Sequence, residues 1–281
     1  MIEIGITQSL TIDRLTAPGA FLTDGEGSDV LLPNKYLDKK HEKGQKVEVF
    51  VYKDSEDRPV ATTETPLVGR NQFACLKVVD VSRFGAFMDW GLEKDLLVPF
   101  KQQASRMNKG DWYIIYMYLD ESTQRLVATS KLYPHFEKDL SGLEVDQEVQ
   151  LLLGDEHDLG IQVIVNEKYN GLIFHSEIHQ DVIMGDQVKG FIKNIRTDGK
   201  LDITLQKTGL EHMEAGAAKI LEVLIEEEGF IEVTDKSSPE DIQFYFQLSK
   251  KAFKRSLGNL YKQKKVEIRE NGIQLIDTKG L

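Results

Sequence analysis

Phe84 and Phe87 lie on either side of Gly85-Ala86, and a basic residue, Arg125, opens an apolar run further along the chain. Rings beside fixed cations are the groups that hold unpaired nucleotides: exposed bases stack on the rings, each worth roughly 1–3 kcal/mol, and cations meet the phosphates. The pairing recurs. Phe21 and Arg58 stand earlier in the chain, Phe174, His175 and Lys200 later, and Lys35 and Lys101 occupy matching places. Lys250, Lys251, Lys254 and Arg255 form a further basic cluster near the carboxyl end. His175 and His179 bracket Glu177 at a spacing that suggests a metal, but that spacing shares a face only in a helix, and His175 ends a predicted strand. No metal or other cofactor is expected. Nucleophile motifs and phosphate-cradling glycine loops are missing from the sequence, so no enzymatic activity is expected.

These residues recur because the chain repeats itself. Gly19-Ala20-Phe21, Asp29 to Pro33 and Gly44 return as Gly85-Ala86-Phe87, Asp95 to Pro99 and Gly110, at a constant offset of 66 (85 − 19). A fainter copy follows at an offset of 75 (160 − 85), where Gly85, Asp95, Gly110 and Arg125 map onto Gly160, Asn170, Gly185 and Lys200. Fixed register over so many anchors means one fold used three times. The expected domains are 1–63, 64–140 and 145–207, followed by a different domain over 208–281. Segments 64–71 and 134–144 read as linkers.

In the second copy, Leu76 to Val81, Gly85 to Trp90, Leu96 to Val98, Trp112 to Leu119 and Leu126 to Ser130 are five short strands with no long helix among them, the pattern of a small closed barrel. Glycines before strands two and four would permit its bends. In the first copy Val47, Val49 and Val51 share the inward face of strand four, and the Lys, Glu and aromatic face points out. Shifted by 66, that outer face becomes Trp112, Ile114, Tyr116 and Tyr118, which is too apolar for water and is expected to be a domain contact. Cys75, the single cysteine, reads as a strand residue with no disulfide and no catalytic role.

Phe84-Gly85-Ala86-Phe87-Met88-Asp89, then Asp95-Leu96-Leu97-Val98, Gly110, Asp120 and Arg125 to Lys131 resemble the S-one domain, an RNA-binding barrel. Gly171 to Ile178 and Lys200 to Leu205 of the third copy are similar to its third and closing strands. The resemblance implies that bases stack on the strand-two aromatics and a strand-three histidine, near a basic residue opening strand five. No copy has the full set. Pro18 replaces one aromatic of the first copy, Pro33 and Pro99 stand at the histidine position, and the third copy has Gln162 for Phe87 and Phe174 for the histidine, with His175 beside it. The basic position is filled throughout, by Arg58, Arg125 and Lys200.

Beyond Gln206 the period becomes helical: Ile220, Leu221, Leu224 and Ile225 mark one side of a helix that ends at Glu228-Gly229. Phe230 to Val233 reads as a strand. Ser238-Pro239-Glu240-Asp241 and Ser249 start two further helices, the second burying Phe253, Leu257 and Leu260 and exposing its four cations. Lys265 to Ile268 and Ile273 to Ile276 flank an Asn271-Gly272 turn. Helix, strand, two helices and a hairpin resemble a winged-helix domain, whose third helix commonly meets nucleic acid. The expected fold class is mainly β with a C-terminal α+β domain: three tandem five-stranded barrels of OB type, then a winged helix. That order of domains is similar to the conserved virulence factor B family of bacterial RNA-binding regulators.

The net charge of −11 excludes binding through bulk electrostatics, so nucleic-acid contact must be local. Residues 64–140 carry 10 basic and 10 acidic side chains against 6 and 12 in 141–207, which makes the middle copy the least repulsive to phosphate. An amino terminus with an acid at Glu3 and no apolar run of spanning length point to a cytoplasmic protein without membrane contact. The expected activity is binding of single-stranded RNA across several modest sites, with duplex nucleic acid a further partner of the winged helix. The rivals are a DNA-binding transcription regulator acting through the winged helix and a ribosome or nuclease adaptor that touches no RNA.

Overall fold

A computed structural model describes residues 1–38, 41–178, 182–205 and 210–276. They form two compact units, 1–203 and 204–281. In the first, strands β1 (Thr7–Leu15), β2 (Gly19–Thr23), β3 (Asp29–Pro33), β4 (Lys46–Lys53) and β5 (Pro59–Thr62) close into a barrel of order β1-β2-β3-β5-β4. The next set, β6 (Gln72–Val81), β7 (Gly85–Asp89), β8 (Leu96–Pro99), β9 (Trp112–Asp120) and β10 (Arg125–Thr129), repeats that order as a five-stranded sheet whose edges β8 and β10 lie together. A third closed barrel comprises β11 (Glu148–His157), β12 (Gly160–Val165), β13 (Tyr169–Phe174), β14 (Gln187–Ile195) and β15 (Leu201–Thr204).

The repeated glycine that opens the second strand has a steric cause. At Gly19, Gly85 and Gly160 φ is +157°, +154° and +153°, and an added Cβ would stand 2.1, 2.2 and 2.0 Å from the carbonyl oxygen of Leu32, Val98 and Ile173. Only a residue without Cβ lets strands two and three meet there. The barrel's sharpest irregularity lies elsewhere than the sequence suggests. It is a bulge in the first strand of each copy, at Asp13, at Val79 and at Gly154-Asp155, which bends that long strand across both halves of its barrel.

The outward faces of the barrels are covered by their neighbours. Phe50 and Tyr52 point out of the first barrel as expected, yet both are buried, edge-on to Trp90 of the second at 5.7 and 6.1 Å. Trp90 Nε1 donates to the Lys94 carbonyl at 2.5 Å, and Lys94 Nζ donates to the Asp54 carbonyl at 2.7 Å, which ties the β4–β5 turn to the second barrel. On the far side of the second barrel Phe73, Ile114, Leu132 and Phe136 pack against Ile164 of the third, with Phe73 and Phe136 stacked at 5.1 Å. The expected contact on the outer face of β9 is therefore there, centred on Ile114 and Tyr116, while Trp112 at its rim stays 52 % exposed. Val68 and Phe136 bury themselves within the segments expected to be linkers. Cys75 is half-buried in this seam, and desolvation there, aided by Asp155, pushes its thiol up to about 11.

The second unit is a winged helix: α1 (Leu210–Glu226), β16 (Phe230–Ile231), α2 (Pro239–Phe246), α3 (Lys250–Lys262), β17 (Val266–Ile268) and β18 (Ile273–Leu275), with sheet order β16-β18-β17. Ser238 Oγ accepts from Asp241 N at 3.0 Å and Ser249 Oγ from Ala252 N at 3.3 Å, caps worth about 1 kcal/mol each. The core joins Ile220 and Leu224 of α1 to Phe246, Phe253, Leu257 and Leu260. Two details differ from the sequence reading. Ile225 is 67 % exposed because the buried stripe of α1 runs through Ala217, Ile220 and Leu224, and the β16 ladder is confined to Phe230 and Ile231.

Candidate nucleic-acid interface

The second barrel presents the most complete set of the groups singled out in the sequence. Phe84 precedes β7, is 59 % exposed, and has the Arg83 guanidinium 4.8 Å from its ring centroid. Phe87 follows on the outward face of β7, half-buried opposite Leu97 of β8. Both phenylalanines line a cavity of about 270 Å³ with Leu97, Asp95, Arg125 and Leu126, and the first barrel contributes Tyr52 and Lys53. That volume lies just below the range of small-ligand pockets, roughly 300–1,000 Å³. The mixture of apolar wall and a few charges suits a flat, polar-edged group.

Two cations of this cleft, Arg125 and Lys94, are held by a protein acid and by protein carbonyls. Arg125 pairs with Asp57 of the β4–β5 turn, which keeps the Asp57 carboxyl below and the guanidinium above their ordinary ranges. Lys94, lined up at the same cleft, is pulled below the ordinary lysine value by burial. Arg58 binds Asp54 at 2.7 Å and Glu56 at 2.8 Å, and Lys200 approaches Asp198 at 4.0 Å. The basic residues that open the fifth strand are thus paired in all three copies, where the sequence suggested cations open to phosphate. Their acids were hidden from the sequence because turn geometry and neighbouring barrels supply them.

Copies one and three are altered on the same face. Phe21 is half-buried beneath the Arg14 guanidinium, 4.1 Å from its centroid, and Arg14 is fixed by Asp29 at 2.6 Å and Asp13 at 3.0 Å. In the third barrel Gln162, in place of the ring, donates to Asn170 Oδ1 at 3.1 Å. Phe174 is half-buried at the end of β13, and the exposed His175 ring contacts the His157 carbonyl at 3.0 Å and Glu156 at 3.7 Å. Glu177 binds Lys193 at 2.6 Å, and His179 lies outside the described residues. Lys35 and Lys101 do occupy equivalent turns after the third strand. Lys101 is exposed, whereas Lys35 binds Glu93 of the second barrel at 2.8 Å, which raises its pKa and makes it an inter-barrel tie rather than a rim cation.

On α3 of the winged helix, Lys251 and Arg255 are exposed. Lys250 Nζ donates to the Ser237 carbonyl at 2.8 Å and Lys254 pairs with Asp235 at 3.6 Å, so half of the expected basic surface braces the loop before α2. Sequence reasoning missed Tyr52, Lys53, Trp90 and Lys94, which build the cleft from two barrels. Asp95 it used only as an anchor of the repeat.

Comparison with known proteins fits this architecture. Residues 4–64 match the S1 domain, the S-one barrel, and residues 218–275 match the CvfB-like winged helix domain. Conserved virulence factor B of Staphylococcus haemolyticus is 25 % identical over 97 % of this chain and 94 % of its own length. A crystal structure of a multidomain protein with nucleic acid binding domains from Streptococcus pneumoniae is 24 % identical, covers 97 % of this chain and 98 % of its own, and superposes with a TM-score of 0.42. Protein YitL of Bacillus subtilis is 33 % identical over 94 % of this chain and 90 % of its own length. With 33 % identity along nearly the whole of one relative, a match along nearly the whole of conserved virulence factor B and the CvfB-like winged helix at its end, the chain belongs to the conserved virulence factor B family.

Proposed function

We propose that this chain is a non-enzymatic, cytoplasmic protein that binds single-stranded RNA and thereby regulates gene expression after transcription. The observation that carries the reading is Phe84: a ring 59 % exposed, at the mouth of an apolar cleft that also holds Phe87 and Arg125. An exposed ring beside such a cleft offers a stacking face that an unpaired base of any sequence can cover. Exposed ion pairs such as Arg125–Asp57 contribute little to stability, so a phosphate can exchange for the acid at small cost. The exposed Lys251 and Arg255 of α3 add a second, weaker contact on the same strand, and linked weak sites raise overall affinity.

The test is fluorescence anisotropy of the full chain with labelled single-stranded RNA, single-stranded DNA and duplex DNA across a salt series. Single-stranded RNA is expected to bind and to resist competition by duplex DNA. The log–log slope is expected to be shallow, about −0.7 for each phosphate contacted. Tight duplex binding that short RNA fails to displace would instead identify a DNA regulator working through the winged helix.

A further inference from the structure

We propose that the cleft of the second barrel selects the base it holds, with the Asp95 carboxylate accepting hydrogen bonds from a guanine edge and Arg125 meeting the adjoining phosphate. This rests on the reading of the cleft as a single-stranded RNA site, and adds a specificity to it. The argument comes from what the three copies do with one position. Asp29, Asp95 and Asn170 are equivalent, each opening or flanking the third strand beside the strand-two ring position. In the first barrel Asp29 is neutralised by Arg14, which lies over the ring. In the third, Asn170 is engaged by Gln162.

The second barrel has neither device. The residue matching Arg14 is Asp80, which pairs with Lys109 at 3.7 Å and leaves Phe87 uncapped. Strand alternation puts Asp95 on the same outward face as Leu97, opposite Phe87, and all three line the cavity. Among the described residues Asp95 has no cation partner, and partial burial together with Asp89 and Asp80 raises its pKa. A carboxylate so placed repels phosphate and can only accept hydrogen bonds. The cleft therefore holds an acceptor, Asp95 beside β8, and a cation, Arg125 on the adjoining β10, next to the rings of Phe84 and Phe87.

A nucleotide has the complementary polarity when its base offers donors. Guanine presents two adjacent donors, the ring N–H and the exocyclic amino group, to a carboxylate's two oxygens. Adenine and cytosine present an amino group alone, and uracil a single N–H flanked by carbonyls that repel the acid. Contacts to base edges are what convert binding into selection.

The experiment compares, on the full chain, a short oligouridylate with the same oligomer bearing one central guanosine or inosine, inosine being guanosine without the amino group. Guanosine is expected to raise affinity about ten-fold, the scale of a hydrogen bond to a charged group, with inosine between the two. Asp95→Asn is expected to abolish the guanosine preference. Asp89→Asn, which removes the same charge from the same face outside the cavity, is expected to keep it. Equal affinity for the three oligomers on the unmodified protein overturns the inference and leaves RNA binding intact, and that comparison needs no variant to fold. Preference that survives Asp95→Asn, or is lost equally in Asp89→Asn, also overturns it. Failure of every oligomer to bind defeats the RNA reading itself.

Discussion

Phe84→Ala separates stacking from stability better than any other substitution in the cleft. The ring is 59 % exposed and precedes β7, so its removal leaves no internal void, and surface changes of this kind usually move stability by only about 0.5 kcal/mol either way. Phe87 is different: half-buried against Leu97, its loss would disturb packing and binding together. If a base stacks on Phe84, truncation removes roughly 1–3 kcal/mol per base, a loss of affinity of roughly five- to 150-fold. The Arg83 guanidinium, 4.8 Å from the ring centroid, loses its aromatic partner but keeps its charge, so the salt slope is expected to hold while the intercept falls. The assay is anisotropy with labelled single-stranded RNA at several salt concentrations, alongside a thermal melt. A variant that melts like the parent and binds RNA with the parent's affinity refutes stacking at Phe84, and the cleft with it.

Asp57→Asn should remove the acid with which phosphate competes for Arg125, raising RNA affinity roughly two- to five-fold in the same anisotropy series; an unchanged affinity would show that Arg125 takes no part. Trp90→Ala should cost about 3–5 kcal/mol, because the ring fills the seam between the first two barrels, and should expose residues 64–71 to limited proteolysis. Cys75, with its thiol near 11 and the third barrel over it, should resist iodoacetamide at pH 8 and react increasingly toward pH 11, followed by mass spectrometry. Rapid labelling at pH 8 would mean that the third barrel does not cover β6.

What could be read from the sequence is what local geometry dictates. Gly19, Gly85 and Gly160 fix the register because a Cβ at any of them strikes the carbonyl of the facing strand, whatever else changes around the barrel. Ser238 and Ser249 announce their helices because the cap bond spans only three residues. Alternation shows which side of a strand faces into its barrel, but not what covers the other side. Alternation therefore points the aromatic face of β4 outward, as Phe50 and Tyr52 are, but does not show their burial against Trp90. Ion pairs are less legible still: Asp57 and Arg125 stand 68 residues apart, and only the packing of two barrels brings them together. The same holds for Lys35 and Glu93, whereas Arg58 and Lys200 meet acids of their own turns, Asp54 and Asp198, through turn geometry that spacing alone does not show.

Three degenerate copies make more sense as parts of one site than as three poor sites. The ring face of the first barrel is closed by Arg14, and that of the third is replaced by a glutamine–asparagine pair. The first barrel does something the second cannot do alone: its β4 supplies Tyr52 and Lys53 to the cleft, and its β4–β5 turn sets Asp57 against Arg125. An isolated second barrel would leave Trp90 and the rings on an open sheet face, where bases stack without enclosure and edges are not read. The seam turns that face into a cavity that holds Asp95 and Arg125 beside the rings, and the proposed selection of a base requires that enclosure. On the proposed reading, the first copy serves as a wall of the second copy's site rather than as a site of its own.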